Sequence, residues 1–442
     1  MFGSSASSAP FPHFGKQPGA GSDPAQLLRE VQRATLPNGL RVLLVESHEL
    51  PVVSHWLWYT VGSRDERSGE AGVSHFLEHM MFKGTDTYPK GAIDAQTARL
   101  GGSNNAMTSY DYTTYYFNLT SDRWTEALDI EASRMQHCLL DKSEFEAEKK
   151  VVIEELMRGK DEPWSPLFEA VSSLCYMVHP YRQPIIGWRE ELERMPVETM
   201  ESYYRRHYAP DRAILVVVGD FEHAQALEEI EARLGDIPAS GFAREPVLAE
   251  PPQQGERRIT VRFPGNLSRI AMAWPTCRQG GRDDTTLDLL STVLSTGKSS
   301  RLYRELVKGQ EIATYAGSYN ETRLDPGLFW LVAEAKPGLR EERLESALMQ
   351  QVERIQEEGP TSAELERAKK QILSSFYFDL ETVSEQAHKI GRLETVCEGG
   401  YATLEKYPSE LMSLEADDVR DIARKYLLPD RRSVGWSLPK ES

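Results

Sequence analysis

Apolar and polar positions fall in blocks along this chain, and the period changes from block to block. Arg41-Val42-Leu43-Leu44-Val45 and Ala213-Ile214-Leu215-Val216-Val217-Val218 are short, nearly continuous apolar runs rich in branched side chains, which is how buried strands read. The stretch from Gly101 to Phe117 is rich in Thr and Tyr and also reads as a strand. Segments around 68–84, 122–138 and 143–159 have helical spacing instead. Strands and helices alternate in both halves, so the pattern predicts an α+β fold in which each half packs helices against a sheet.

The pattern also repeats. Glu144-Phe145-Glu146 with Lys149-Lys150 recurs as Glu364-Leu365-Glu366 with Lys369-Lys370, an offset of 220 residues. Pro210-Asp211-Arg212 recurs as Pro429-Asp430-Arg431, an offset of 219. Either string alone is a common accident of charged sequences, but two at nearly one offset predict two homologous domains. Pro, Gly and Ser between Asp236 and Gly255 mark the junction. The expected division is a tail over 1–28, a first domain over 29–236, a linker over 237–256 and a second domain over 257–442.

Composition narrows the function classes. The 442 residues carry 51 basic and 68 acidic side chains, a net charge of −17, which argues against a nucleic-acid or anionic-membrane partner. Cys138, Cys175, Cys277 and Cys397 are too scattered for a disulfide framework or a zinc knuckle. No apolar run approaches the ~18 residues of a membrane span. The first 25 residues contain 17 Gly, Ser, Ala or Pro and one cation, Lys16. They have neither an apolar signal core nor repeated arginines, so a disordered tail and a cytoplasmic location are expected.

The chemistry is concentrated in His75-Phe76-Leu77-Glu78-His79, an H-x-x-E-H string. On a helix, His75 and His79 stand one turn apart on one face, with Glu78 beside them. Two neutral imidazoles so placed can grip Zn²⁺, and a carboxylate in the same turn can take a proton from an activated water. The order is the inverse of the commoner H-E-x-x-H. A zinc site of this kind needs a third protein ligand, and the Gly- and Pro-free segment 144–156 can supply it. Glu154 has Lys150 four residues before it and Arg158 four after, so it reads as a solvated ion-pair residue. Glu155 follows Val151 and Val152 on a more apolar face, where a carboxylate needs a partner such as a metal. Glu155 is therefore the expected ligand. Glu148, seven residues earlier on nearly the same face, is expected to orient a ligand from behind.

With these residues the chain resembles the pitrilysin or insulinase-like zinc metallopeptidases, in the short two-domain form related to the mitochondrial processing peptidase β subunit. That family places its liganding Glu about 76 residues after H-x-x-E-H, with another Glu seven residues earlier; His79, Glu148 and Glu155 match. The family's usual opening is similar to Thr35-Leu36-Pro37-Asn38-Gly39-Leu40-Arg41-Val42. The resemblance implies one zinc ion per chain, Glu78 as the catalytic base, and hydrolysis of peptides or unfolded segments in an enclosed chamber. It also implies a clamshell of two domains, and a dimer formed with a second copy or with a metal-free paralogue. Extended substrate would add to the strand holding Asn105-Ala106. The second half lacks the ligands: at the repeat offset His75 falls near Ser295, Glu78 near Lys298 and Glu155 near Ser375. In the family that half contributes an Arg and a Tyr, seven residues apart, to substrate binding. Here Tyr315 matches the Tyr, but Lys308 stands where the Arg belongs and lacks its bidentate fork.

Two other readings follow from that departure and from the fold. The chain could be a subunit active only beside a metal-free paralogue, or a non-catalytic scaffold; scaffolds of this fold have eroded motifs, whereas this one is complete. Gly297-Lys298-Ser299 suggests a P-loop, but Thr292 stands where its first Gly would be. His137, His179 and His207 read as structural histidines.

Overall fold

The computed structural model describes residues 31–440, so the expected tail over 1–28 lies outside the described residues. The first half builds a six-stranded sheet from β1 (Gln32–Thr35), β2 (Arg41–Glu46), β3 (Val52–Tyr59), β4 (Ser103–Thr108), β5 (Thr113–Thr120) and β6 (Ala213–Gly219). Their spatial order is β1-β2-β6-β3-β5-β4. The second half builds a five-stranded sheet from β7 (Arg257–Phe263), β8 (Arg269–Pro275), β9 (Ala313–Glu321), β10 (Leu328–Ala335) and β11 (Ser433–Pro439), in the order β7-β11-β8-β10-β9.

The two sheets share one plan. In each, the last strand of the half slots between the first two strands of the common core. Thus β6 runs parallel to β2 and antiparallel to β3, and β11 runs parallel to β7 and antiparallel to β8. A short 3-10 turn, Pro210–Arg212 or Pro429–Arg431, leads into each inserted strand. The repeated strings thus occupy equivalent places. The insertion also explains the apolar run at 213–218: a central strand with both faces covered has no polar face to alternate with.

The expected helices appear as Val73–Met80, Thr125–His137 and Lys142–Lys160. The stretch 101–117 departs from expectation. It is a hairpin of β4 and β5 and not one strand, with its turn at Ser109-Tyr110-Asp111-Tyr112. That turn contains no Gly or Pro, so composition did not announce it. β4 and β9 are equivalent and each ends its sheet, so both present an unpaired edge.

One face of each sheet is covered by its own half and the other by the opposite half. Leu43, Val45, Trp56, Trp58, Ile214, Val216 and Val218 of the first sheet pack against Ala387, Ile390, Leu393 and Val396 of helix Val383–Val396. In return Leu167, Val171 and Cys175 of helix Ser165–Cys175 cover Ala271, Ala273, Leu328 and Trp330 of the second sheet. A polar tie joins the halves as well. Asp325 accepts from Arg64 Nε at 2.7 Å and pairs with His179 Nε2 at 3.1 Å. Tyr181 donates to Asp111 at 2.6 Å, and Asp111 accepts the Leu324 amide at 3.2 Å. Burial opposes ionisation of Asp325, yet His179 and Arg64 hold it well below the usual carboxylate range. The halves thus interlock, and apolar layers as well as the linker hold them together.

The four cysteines are free thiols. Among the described residues no helix is long and apolar enough to cross a membrane.

Candidate metal centre

The motif helix Val73–Met80 starts where the chain must turn sharply. Gly72 has φ 90°, and a Cβ there would stand 2.5 Å from the Ile186 carbonyl, so only glycine fits. Glu66 accepts the amides of Gly72 and Ser74, each at 2.9 Å, and so satisfies orphan donors of the first turn. Val73, Phe76, Leu77 and Met80 are buried and fix the roll of the helix. Phe76 stacks on Phe145 at 4.7 Å, joining this helix to Lys142–Lys160. The second helix is capped by Asp141, which accepts from Ser143 and Glu144 amides at 2.8 and 3.0 Å.

This packing brings three expected ligands together: one ligand atom from each of His75, His79 and Glu155 lies within 4.8 Å of the others. Glu155 Oε2 is 3.5 Å from His79 Nε2 and 3.9 Å from His75 Nε2. Donors around a tetrahedral zinc, with bonds of ~2.0–2.2 Å, stand roughly 3.4 Å apart, so small closure would complete the grip. His79 Nδ1 is 2.9 Å from Glu148 Oε1, an arrangement that puts the proton on Nδ1 and leaves Nε2 free to bind. Buried His75 Nδ1 has no hydrogen-bond partner. Burial drives the His75 pKa down to about 4, which keeps the ring neutral as a ligand must be. Burial acts the same way on His79, but Glu155 and Glu148 outweigh it and the net shift is upward. The two carboxylates thus favour positive charge between them, and a divalent cation would take the place of a proton there. The donor set of two imidazoles and a carboxylate fits zinc with one position left open.

Glu78 lies in the same turn, and burial raises its pKa. The Thr108 hydroxyl, at the end of β4, donates a short hydrogen bond to its Oε2. The strand expected to receive substrate is therefore bonded to the expected base. On the same strand, the Ala106 amide donates to Asn105 Oδ1 at 2.9 Å, so a side chain occupies a donor that an incoming strand would use.

The second-half residues have their own settings. Tyr315 on β9 is 51% exposed and meets Trp164 edge-on at 6.2 Å. Lys308 is exposed in the π-helical turn Tyr303–Gly309. The other histidines have structural settings: His179 joins Asp325, His207 packs on Tyr203 at 4.5 Å, and His137 lies 3.4 Å from Asp86. Two details of the ligand argument are corrected. Val151 is 46% exposed, so the face behind Glu155 is less apolar than the spacing suggests. Glu154 is exposed, but its side chain pairs with neither Lys150 nor Arg158. Sequence reasoning missed Thr108 and Lys83; the latter donates to Glu148 Oε2 at 2.6 Å. The signal for Lys83 was its place one helical turn beyond His79.

Residues 41–188 match the family described as Insulinase (Peptidase family M16), and residues 194–372 match the Peptidase M16 inactive domain. The zinc protease PqqE of Helicobacter pylori is 29% identical over 421 residues, covering 92% of this chain and 93% of that protein. A probable mitochondrial-processing peptidase subunit beta of Arabidopsis thaliana is 25% identical over 410 residues, covering 90% of this chain and 76% of that protein. The crystal structure of a protease from Helicobacter pylori superposes with a TM-score of 0.89 at 28% identity, covering 92% of this chain and 99% of the other. A Pseudomonas fluorescens structure described as a peptidase M16 inactive domain shares the fold at a TM-score of 0.85 and 18% identity, covering 93% and 98%. Both halves thus match models of one family, and the chain belongs to peptidase family M16, the insulinase family, as a two-domain, pitrilysin-like member.

Proposed function

We propose that this protein is a zinc-dependent endopeptidase that hydrolyses peptides or unfolded segments. The observation that carries the reading is the convergence of His75, His79 and Glu155 beside a partly buried carboxylate, Glu78, that is itself bonded to an edge strand. Zinc, if held by His75, His79 and Glu155, would supply Lewis-acid chemistry toward water and a carbonyl. Glu78 is placed to accept a proton from an attacking water and to pass it to the leaving amine. Its raised pKa suits a group that must both take and release a proton. Thr108 keeps the accepting carboxylate turned toward the strand. Main-chain pairing to β4 holds an extended peptide with little demand on its sequence, once Asn105 releases the Ala106 amide.

A second reading is supported by Lys308, which stands where the family has an Arg and lacks its bidentate fork, and by the word "subunit" in the name of the Arabidopsis relative. With the two halves already interlocked, the wall that encloses a bound peptide comes from another polypeptide, either a second copy or a metal-free paralogue. The scaffold reading has the least support, because the ligand set and base are complete.

The purified chain separates these readings by zinc content and by turnover of a fluorogenic peptide. Bound zinc with turnover is the expected result. Zinc without turnover identifies a missing paralogue, and absence of zinc identifies a scaffold. Glu78→Gln keeps its shape and both histidines, so it should retain zinc and lose ~10²–10⁴-fold in kcat. Near-wild-type turnover in that variant would remove Glu78 from the reaction.

A further inference from the structure

Behind His79 the hydrogen bonding continues one step further than a liganding histidine and its carboxylate. Glu148 is 7% exposed and divides its two oxygens between two donors. Oε1 faces His79 Nδ1 at 2.9 Å, and Oε2 takes Lys83 Nζ at 2.6 Å. We infer that Lys83 is a positioning residue for the metal centre, acting through Glu148 to fix the orientation of His79. The role rests on the reading of His75, His79 and Glu155 as zinc ligands.

The placement of Lys83 makes the pair a brace between two elements. Lys83 lies in the turn that follows the motif helix, where its amide bonds to the Met80 carbonyl at 2.9 Å. Glu148 lies on Lys142–Lys160, two turns before Glu155. The ion pair therefore links the element carrying both histidines to the element carrying the third ligand. A fully exposed pair is screened by water and would organise little. This pair is largely covered, with side chains 23% and 10% exposed. Without the ammonium, Oε2 would lose its donor in a covered site, and the carboxylate could turn so that either oxygen met His79 or neither did. The imidazole would then lose the contact that sets its ring plane and selects Nε2 as the donor atom.

The test uses the full chain as wild type, Lys83→Met, Lys83→Arg, Glu148→Gln and the double variant Lys83→Met with Glu148→Gln. Zinc affinity is read by competition with a chromophoric chelator, and melting temperature is read with and without zinc. Partners behind a metal ligand typically influence affinity ~10–100-fold, so Lys83→Met should weaken zinc binding by about 10-fold or more. Its metal-free melting temperature should fall modestly as Oε2 loses its donor, and the rise on adding zinc should shrink as well. Lys83→Arg, which keeps a cation in reach, should recover most of the affinity. In the Glu148→Gln background, Lys83→Met should add nothing, because its route to His79 is already cut. Wild-type zinc affinity in Lys83→Met overturns the role. So does an equal fall in melting temperature with and without zinc, or a full additional loss in the double variant. A wild-type chain that takes up no zinc overturns the centre itself, and the role of Lys83 falls with it.

Discussion

Glu154 and Glu155 differ by one position, about 100° around a helix, and that angle separates an exposed group from one that faces both motif histidines. Helical facing gives the two residues different expectations from sequence, although neither supporting detail held: Val151 is exposed, and Glu154 has no ion pair. What decides the matter is the helix opposite, whose Nε2 atoms at His75 and His79 lie 3.9 and 3.5 Å from Glu155. Glu155→Ala should therefore abolish stoichiometric zinc, whereas Glu154→Ala should keep wild-type zinc and stability within about 0.5 kcal/mol. Metal analysis after dialysis compares them directly, and equal zinc in the two would refute the ligand assignment. Lys83 and Thr108 were not legible in the same way. Each acts on a residue far along the chain, Glu148 or Glu78, and such partners are chosen by how elements pack, not by local spacing.

At the scale of elements, periodicity located the helices of the site closely. It failed where a turn lacked its usual residues, so β4 and β5 were read as one strand. That error matters, because separating them makes β4 a sheet edge that touches Glu78 through Thr108. The position of helix Val383–Val396 could not be read from its own sequence either, since its apolar face does not say which sheet it covers. The structure shows why Gly391 sits in that face: a Cβ there would lie 2.1 Å from Trp58 Nε1. Trp58 is fully buried beneath the helix and cannot move aside. Gly391→Ala should then force helix and sheet apart. Overpacking of this kind costs about 1–3 kcal/mol, although alanine favours the helix by about 1 kcal/mol, so a net loss of up to about 2 kcal/mol is expected. Thermal or urea unfolding measures it, and a stabilised variant would show that this contact is loose.

For the whole molecule, duplication was written in the sequence as two pairs of repeated strings, and it appears as two sheets of one plan. The exchange of covering helices was not, because a repeat specifies equivalent elements and leaves open which copy each one packs against. That exchange alters what half a chain can do. A truncated chain ending near Ser240 keeps His75, Glu78, His79, Glu148 and Glu155, and also β4, so its ligand list is complete. It loses helix Val383–Val396, however, and bares Leu43, Val45, Trp56, Trp58, Ile214, Val216 and Val218 on one face of the sheet. Large apolar side chains contribute about 1.5–3 kcal/mol each when buried, a substantial loss beside a typical domain stability of about 5–15 kcal/mol. The same truncation leaves helix Ser165–Cys175 without the second sheet, and Arg64 and His179 without Asp325. Expressed alone, the first half should be aggregated or expanded, with strong binding of a hydrophobic dye and no stoichiometric zinc. Co-expression with residues 255–442 should restore solubility, cooperative unfolding and zinc together, since the missing layers return with the second half. Circular dichroism, dye binding and metal analysis on the two preparations decide it. A compact first half that binds zinc alone would mean that the interlock is dispensable and that each sheet is stable with one face bare.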